Sequence, residues 1–159
     1  DKVVPDIVTL GKPMGNGHPI AAVVTTREIA KSFNSNHGYF NTFGGNPVSA
    51  AAGLAVIRFV NNNKLIEHAE SVGKHFKKGL NSVARKLSVI QEVRGSGLFI
   101  GVELKSNRIT SKAIEGLLSE GVLVGQTGPQ NNVIKLRPPM TFKKEHADQV
   151  IKAIEKVLS

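Results

Sequence analysis

The sequence predicts an α/β protein built around a lysine at the end of its first strand. Two observations carry that fold class. From residue 64 onward, short apolar runs alternate with amphipathic helical patterns, as in a small layered α/β or α+β domain. Ahead of them, the apolar, β-branched run Ile7-Val8-Thr9-Leu10 halts at Gly11, and Lys12 stands between that glycine and Pro13. A 40% hydrophobic and 21% charged composition fits a globular chain with a core. Its 159 residues suffice for one domain or for parts of two.

Taken in order, residues 1–10 are expected to form one strand, with Ile7 to Leu10 as its buried part. The small apolar residues 21–25 form a second. Two strands make a poor sheet, so the chain reads as cut, its first strand short of partners. A short helix is expected over 27–33 and a polar, glycine-bearing loop over 34–43. Asn46 reads as an N-cap and Pro47 as the first position of an alanine-rich helix over 47–60, which Asn61-Asn62-Asn63 breaks. The longest helical pattern is 64–87. There Leu65, Ala69, Val72, Phe76, Leu80, Val83 and Leu87 recur at steps of three and four, with lysines 74, 77, 78 and 86 on the other face. A domain boundary is placed just before it, dividing the chain into 1–63 and 64–159.

Beyond that helix, strands are expected over 89–93 and 98–104, the second with Leu98, Ile100, Val102 and Leu104 on one face. Thr110 is read as the cap of a helix over 111–120, with Ala113, Ile114, Leu117 and Leu118 inward and Gly121 as its stop. Further strands are expected over 122–124 and 133–137, the latter ended by Pro138-Pro139. Thr141 is read as the cap of the last helix, 143–158, with Ala147, Val150, Ile151 and Ile154 inward.

The formal charge is +9, from 21 Lys+Arg against 12 Asp+Glu. Such a balance suits nucleic acid, an anionic membrane surface or acidic substrates. The cations are spread, however, and the only doublets, Lys77-Lys78 and Lys143-Lys144, fall in helical patterns. With one Tyr and no Trp, the stacking platforms of single-strand binders are missing. The excess therefore reads as solvated helix faces, and no nucleic-acid partner is expected. No apolar run approaches the roughly 20 residues of a membrane span, so no membrane partner is expected either. Zero Cys excludes disulfides and thiolate metal sites and fits a reducing compartment. The location expected is intracellular, mitochondrial or cytosolic. The five His residues show no metal spacing, so no metal site is expected.

Three places carry chemistry. Lys12 lies where α/β sheets place ligands, at the carboxyl end of a strand. Part-buried and unpaired there, it would have a lowered pKa and a usable neutral amine, as a Schiff base with a carbonyl cofactor requires. The alternative is a loop lysine in water. Thr42 precedes Gly44-Gly45 and a helix cap, where a hydroxyl and free backbone N–H groups suit a phosphate; the alternative is a plain turn. Lys135 and Arg137, two apart on a strand, share one face opposite Ile134 and Leu136. Two cations on one face suit a carboxylate or phosphate. The alternative is a solvated strand face. Arg94-Gly95-Ser96-Gly97 lacks the further glycine and lysine of nucleotide loops and reads as a tight turn.

Pro5-Asp6-Ile7-Val8-Thr9-Leu10-Gly11-Lys12-Pro13-Met14-Gly15-Asn16-Gly17-His18-Pro19, continued by Ala21-Ala22-Val23-Val24, resembles the cofactor-lysine segment of the class III aminotransferases. Three more blocks of that family follow in order: Thr42-Phe43-Gly44-Gly45-Asn46-Pro47, the run from Arg94-Gly95-Ser96-Gly97 to Glu103-Leu104, and Arg137-Pro138-Pro139-Met140. The four blocks cover nearly the whole chain. The resemblance implies the carboxyl-terminal part of a fold-type I pyridoxal-phosphate transferase. Residues 1–63 would end the large cofactor-binding domain, and residues 64–159 would form the small carboxyl-terminal α/β domain.

The resemblance implies pyridoxal 5'-phosphate as cofactor and Lys12 as its Schiff-base lysine and proton carrier. It implies a homodimer in which Thr42 reaches the cofactor phosphate of the neighbouring subunit, with Asn41 standing where many members carry serine. Lys135 occupies the position at which many members hold the substrate carboxylate with an arginine, while Arg137 stands next to the Pro-Pro pair. The implied reaction moves an amino group from an amine or amino acid to a 2-oxo acid or glyoxylate. The branch most like the Lys12 run, the alanine–glyoxylate aminotransferase 2-like proteins, also includes lyases that eliminate phosphate from phosphorylated amines such as phosphoethanolamine. A non-catalytic oligomerisation fragment and a basic nucleic-acid binder are the alternatives from other classes.

Overall fold

In the computed structural model, which describes residues 3–159, contacts divide the chain into two compact units, Asp1–Asn63 and Lys64–Ser159. In the first unit, β1 (Ile7–Leu10) pairs antiparallel with β2 (Ala22–Thr25), Ile7 opposite Thr25 and Leu10 opposite Ala22. The part of the expected first strand at residues 1 and 2 lies outside the described residues. A 3-10 turn, Lys12–Gly15, connects the two strands. The strand was expected to be buried, but Ile7 is 53% and Leu10 45% exposed. A two-stranded ribbon has no layer over its faces to bury them.

Helix α1 (Arg27–Asn36) is capped by Thr26, whose Oγ1 accepts from Ile29 N. It runs three residues beyond the expected end. Ser35 Oγ and Asn36 Nδ2 donate to the carbonyls four residues back, at 3.0 and 2.8 Å. Helix α2 (Pro47–Asn62) starts at the expected cap, with Ser49 N donating to Asn46 Oδ1 at 2.9 Å. The asparagine triplet does not break it at 61. The helix continues to Asn62, and Asn63 closes it, its Nδ2 donating to Phe59 O at 2.8 Å.

The second unit is a four-stranded antiparallel sheet with three helices packed on one face. Its helices are α3 (Leu65–Lys86), α4 (Asn107–Ser119) and α5 (Lys144–Leu158). Its strands are β3 (Ile90–Ser96), β4 (Phe99–Leu104), β5 (Gly125–Thr127) and β6 (Val133–Leu136), in spatial order β3-β4-β6-β5. The pleat puts Ile100, Val102 and Leu104 on the inner face, where Ile100 pairs with Leu136 and Val102 with Ile134. The helices supply Phe76, Leu80, Val83, Ala113, Leu117 and Ile154 to the same core. Every buried hydrophobic side chain described lies between Val72 and Ile154.

Local chemistry moves several boundaries in this unit. Helix α4 begins at Asn107, capped by Ser106, whose Oγ accepts from Ile109 N. Thr110 is therefore inside the helix and fully buried, its hydroxyl donating back to Ser106 O at 3.0 Å. Leu118, expected inward, is 61% exposed. The expected strand over 122–124 lies three residues later, as β5. Residues 121–122 instead finish the helix: Gly121 has φ +77 and Val122 N donates to Leu117 O at 2.8 Å. Thr141 does not cap α5; Lys143 holds that place, and its N–H donates to His146 Nδ1 at 3.3 Å. Arg137 falls one residue beyond β6.

Candidate functional site

In the first unit the lysine segment is a run of tight turns. Lys12 adopts φ +47, a left-handed conformation that costs a non-glycine residue about 1–2 kcal/mol. Met14 N donates to Gly11 O at 3.1 Å, Asn16 N to Pro13 O at 2.9 Å and His18 N to Gly15 O at 3.1 Å. Gly15 is buried because a Cβ there would stand 2.7 Å from Ile20 Cγ2. Gly17, at φ +106, has open space where a side chain would stand. Lys12 was expected to be part-buried; its side chain is exposed. Among the described residues it forms no ion pair.

Thr42 is exposed in the turn leading to α2. Asn41 builds that turn: its Oδ1 accepts from Phe43 N at 3.2 Å and its carbonyl from Gly44 N at 3.1 Å. Gly45 completes the reversal at φ +69. Asn46 then donates from Nδ2 to Phe43 O at 2.8 Å and to Ser49 Oγ at 3.0 Å. His18 Nε2 stands 2.8 Å from the same Ser49 Oγ, so the Lys12 and Thr42 turns meet at the first turn of α2. Sequence reasoning gave His18 and Ser49 no part in the site. Thirty-one residues separate them, and no local pattern foretells the contact.

In the second unit Lys135 and Arg137 line one open groove of about 830 Å³, together with Phe76, Phe142, His146 and Gln149. Lys135 is half-buried and Arg137 exposed. Lys135 pairs across the sheet with Gly101 on one side and Gly125 on the other. A Cβ on Gly125 would sit 3.1 Å from Lys135 Cε, so the missing side chain makes room for the lysine stem. Neither cation is in an ion pair among the described residues. Two acids of this unit are committed to other cations. Glu120, which also lines the groove, pairs with Lys156 at 2.7 Å. Glu103 binds Arg94, which with the Asn132 amide holds its carboxyl below the usual range; Arg94 is pushed up in return. Among the described residues no three His, Asp or Glu are grouped to hold a metal ion.

Comparison with known proteins gives this geometry a family. A family profile described as Aminotransferase class-III matches residues 1–158. The chain is 39% identical to the ethanolamine-phosphate phospho-lyase homolog 1 of Caenorhabditis elegans, covering 100% of this chain and 36% of that protein. It is 44% identical to the mitochondrial alanine–glyoxylate aminotransferase 2 homolog 2 of Arabidopsis thaliana, covering 99% of this chain and 34% of that protein. Among solved structures it superposes on a phospholyase from Arthrobacter in complex with phosphoethanolamine with a TM-score of 0.95 and 44% identity, covering 99% of this chain and 39% of that one. The chain thus spans about a third of the length of the curated relatives it matches. It belongs to the class III aminotransferases, a pyridoxal-phosphate-dependent family of mixed α/β fold.

Proposed function

We propose that this chain is the carboxyl-terminal part of a pyridoxal-phosphate-dependent aminotransferase, with Lys12 as the residue that holds the cofactor. The supporting observation is the Lys12 turn: a strained, exposed lysine without an ion-pair partner among the described residues, at the end of β1 and fixed by three successive backbone hydrogen bonds. The residues present fit the cofactor. Among the described residues the lysine amine has no ion-pair partner and can bond to a carbonyl, Gly17 has open space where a side chain would stand, and the glycine turn at Thr42 offers a hydroxyl for a phosphate. When bound, the cofactor supplies the electron-withdrawing ring that makes a substrate carbon acidic.

The protein's own part is then positional and acid–base. Lys12 Nζ, released when an amino substrate takes its place, removes the proton from the substrate carbon and returns it. Thr42 holds phosphate in a homodimer, on the partner's cofactor. Lys135 and Arg137 hold the substrate's anionic group in the groove. The substrates of this reading are an amine or amino acid and a 2-oxo acid or glyoxylate, and its compartment is mitochondrial or cytosolic.

A second reading has comparable support: a phospho-lyase acting on a phosphorylated amine. Two cations in one groove, without carboxylate partners among the described residues, suit a phosphate, which offers more charge and more acceptor oxygens than a carboxylate. The 44% identity to the phosphoethanolamine-bound phospholyase points the same way.

The full-length enzyme separates the two readings. Transamination predicts glycine from glyoxylate plus an amino donor; lyase action predicts inorganic phosphate from phosphoethanolamine with no oxo acid required. In either case Arg137→Ala should lower kcat/KM for the anionic substrate by roughly tenfold to a hundredfold, the loss of a charge-assisted bond of about 1.5–3 kcal/mol, with cofactor loading intact. An unchanged kcat/KM would make the pair a solvated strand face.

A further inference from the structure

We infer that His18 is a positioning residue for Lys12, tying the lysine turn to the start of α2 through Ser49; this rests on the assignment of Lys12 above. The exposed lysine side chain has no ion pair of its own among the described residues, so its amine is placed by the backbone that carries it. That backbone, from Gly11 to His18, is a stack of short turns. Outside itself it is pinned to α2 at two points. Ile20 is the apolar pin: a Cβ on Gly15 would stand 2.7 Å from its Cγ2, and one on Gly53 would stand 3.1 Å from its Cδ1, so Ile20 is wedged between the turn and the helix. His18 is the polar pin, its Nε2 2.8 Å from Ser49 Oγ.

The polar pin continues beyond Ser49. Asn46 Nδ2 donates both to Ser49 Oγ at 3.0 Å and to Phe43 O at 2.8 Å, and Phe43 adjoins Thr42. With the imidazole proton on Nδ1, Ser49 Oγ donates to His18 Nε2; with it on Nε2, the ring donates to Ser49 Oγ. Either tautomer completes the line. A hydrogen-bonded path thus runs from the end of the lysine turn to the threonine turn. A single apolar contact at Ile20 would leave the lysine turn free to tilt on the helix; the His18 bond adds the second point that stops it. The helix cap does not depend on this bond, because Ser49 N donates to Asn46 Oδ1 independently, at 2.9 Å.

The test uses the full-length enzyme at saturating pyridoxal phosphate. It follows the rate at which cyanoborohydride fixes the cofactor on Lys12, read by peptide mass, alongside the melting temperature of the cofactor-free protein. His18→Ala and Ser49→Ala should each slow fixation roughly fivefold, the worth of one neutral hydrogen bond. The double variant should be no slower than Ser49→Ala alone, because that variant has already lost the His18 bond together with the one from Asn46 Nδ2. His18→Gln, whose amide nitrogen can reach the Nε2 position, should restore most of the rate. Fixation at the wild-type rate in the single variants, with only the melting temperature lowered, would overturn the inference. So would a double variant whose loss is the product of the two single losses. Should His18→Ala fail to fold, Ser49→Ala decides alone. Absence of any Lys12 adduct in the wild type would overturn the assignment of Lys12 itself; an adduct formed at equal rates overturns only the role of His18.

Discussion

Single residues divide into those whose chemistry is local and those whose chemistry arrives from a distance. Lys12, Thr42, Lys135 and Arg137 were each singled out from neighbours a few positions away. Their lack of partners could not be read that way. Among the described residues Lys135 and Arg137 form no ion pair, while Glu120 is taken by Lys156, 36 residues on, and Glu103 by Arg94 across the β3–β4 pair. Glu103 makes this testable. Its carboxyl is held below its ordinary 4.5, first by the hydrogen bond from Arg94 and then by that from Asn132. Stability from that depression is present above pH 4.5 and is lost as the pH falls through the folded value. Glu103→Gln should therefore melt below the wild type at about pH 6, with the gap closing towards about pH 3. Thermal melts across that range check it; a constant gap would mean the ion pair contributes nothing.

At the scale of elements, hydrophobic periodicity located the long helices and the inner face of β4. The stripe Val72, Phe76, Leu80 and Val83 is buried as its spacing requires, and so is Ile100-Val102-Leu104. Element ends were less legible. Ser106, not Thr110, starts α4, because two hydroxyl residues four apart offer equally good caps and only packing chooses between them. The exit of α4 uses Gly121 and Val122, and β5 starts only at Gly125. The tight turn expected over Arg94–Gly97 is confined to Gly97-Leu98, because Arg94, Gly95 and Ser96 pair with Gly101, Ile100 and Phe99 as the end of β3; Gly95 bends there at φ +141 and Gly97 turns at φ +52. That turn lies against α3 so closely that a Cβ on Gly73 would come 2.1 Å from Gly97 O. Backbone cannot yield as a flexible side chain does. Gly73→Ala should cost about 2 kcal/mol or more, well above the effect of a surface alanine. Urea melts measure it; a loss of less than about 0.5 kcal/mol would show that helix and turn separate easily.

Over the whole molecule, the apolar surface is unevenly spent. The described core belongs to the second unit, whereas Val3, Val4, Ile7, Val23, Phe40, Phe43, Val48, Ile57 and Phe59 of the first are exposed. The class of the fold was readable from alternating strands and helices. The antiparallel order β3-β4-β6-β5 was not, since it depends on pairings that no local pattern specifies. In the isolated chain, amides of β3, β4, β6 and the inner faces of α3 and α4 should exchange slowly, and those of residues 3–63 at least a hundredfold faster, roughly 3 kcal/mol in opening free energy. Equal protection in both units of a monomer would contradict this. The most direct test of the central claim is chemical. Full-length enzyme loaded with pyridoxal phosphate and reduced with borohydride should, on digestion, carry the cofactor's mass on the peptide containing Lys12, and Lys12→Ala should carry none. An adduct on any other lysine, or retained in Lys12→Ala, would contradict the account.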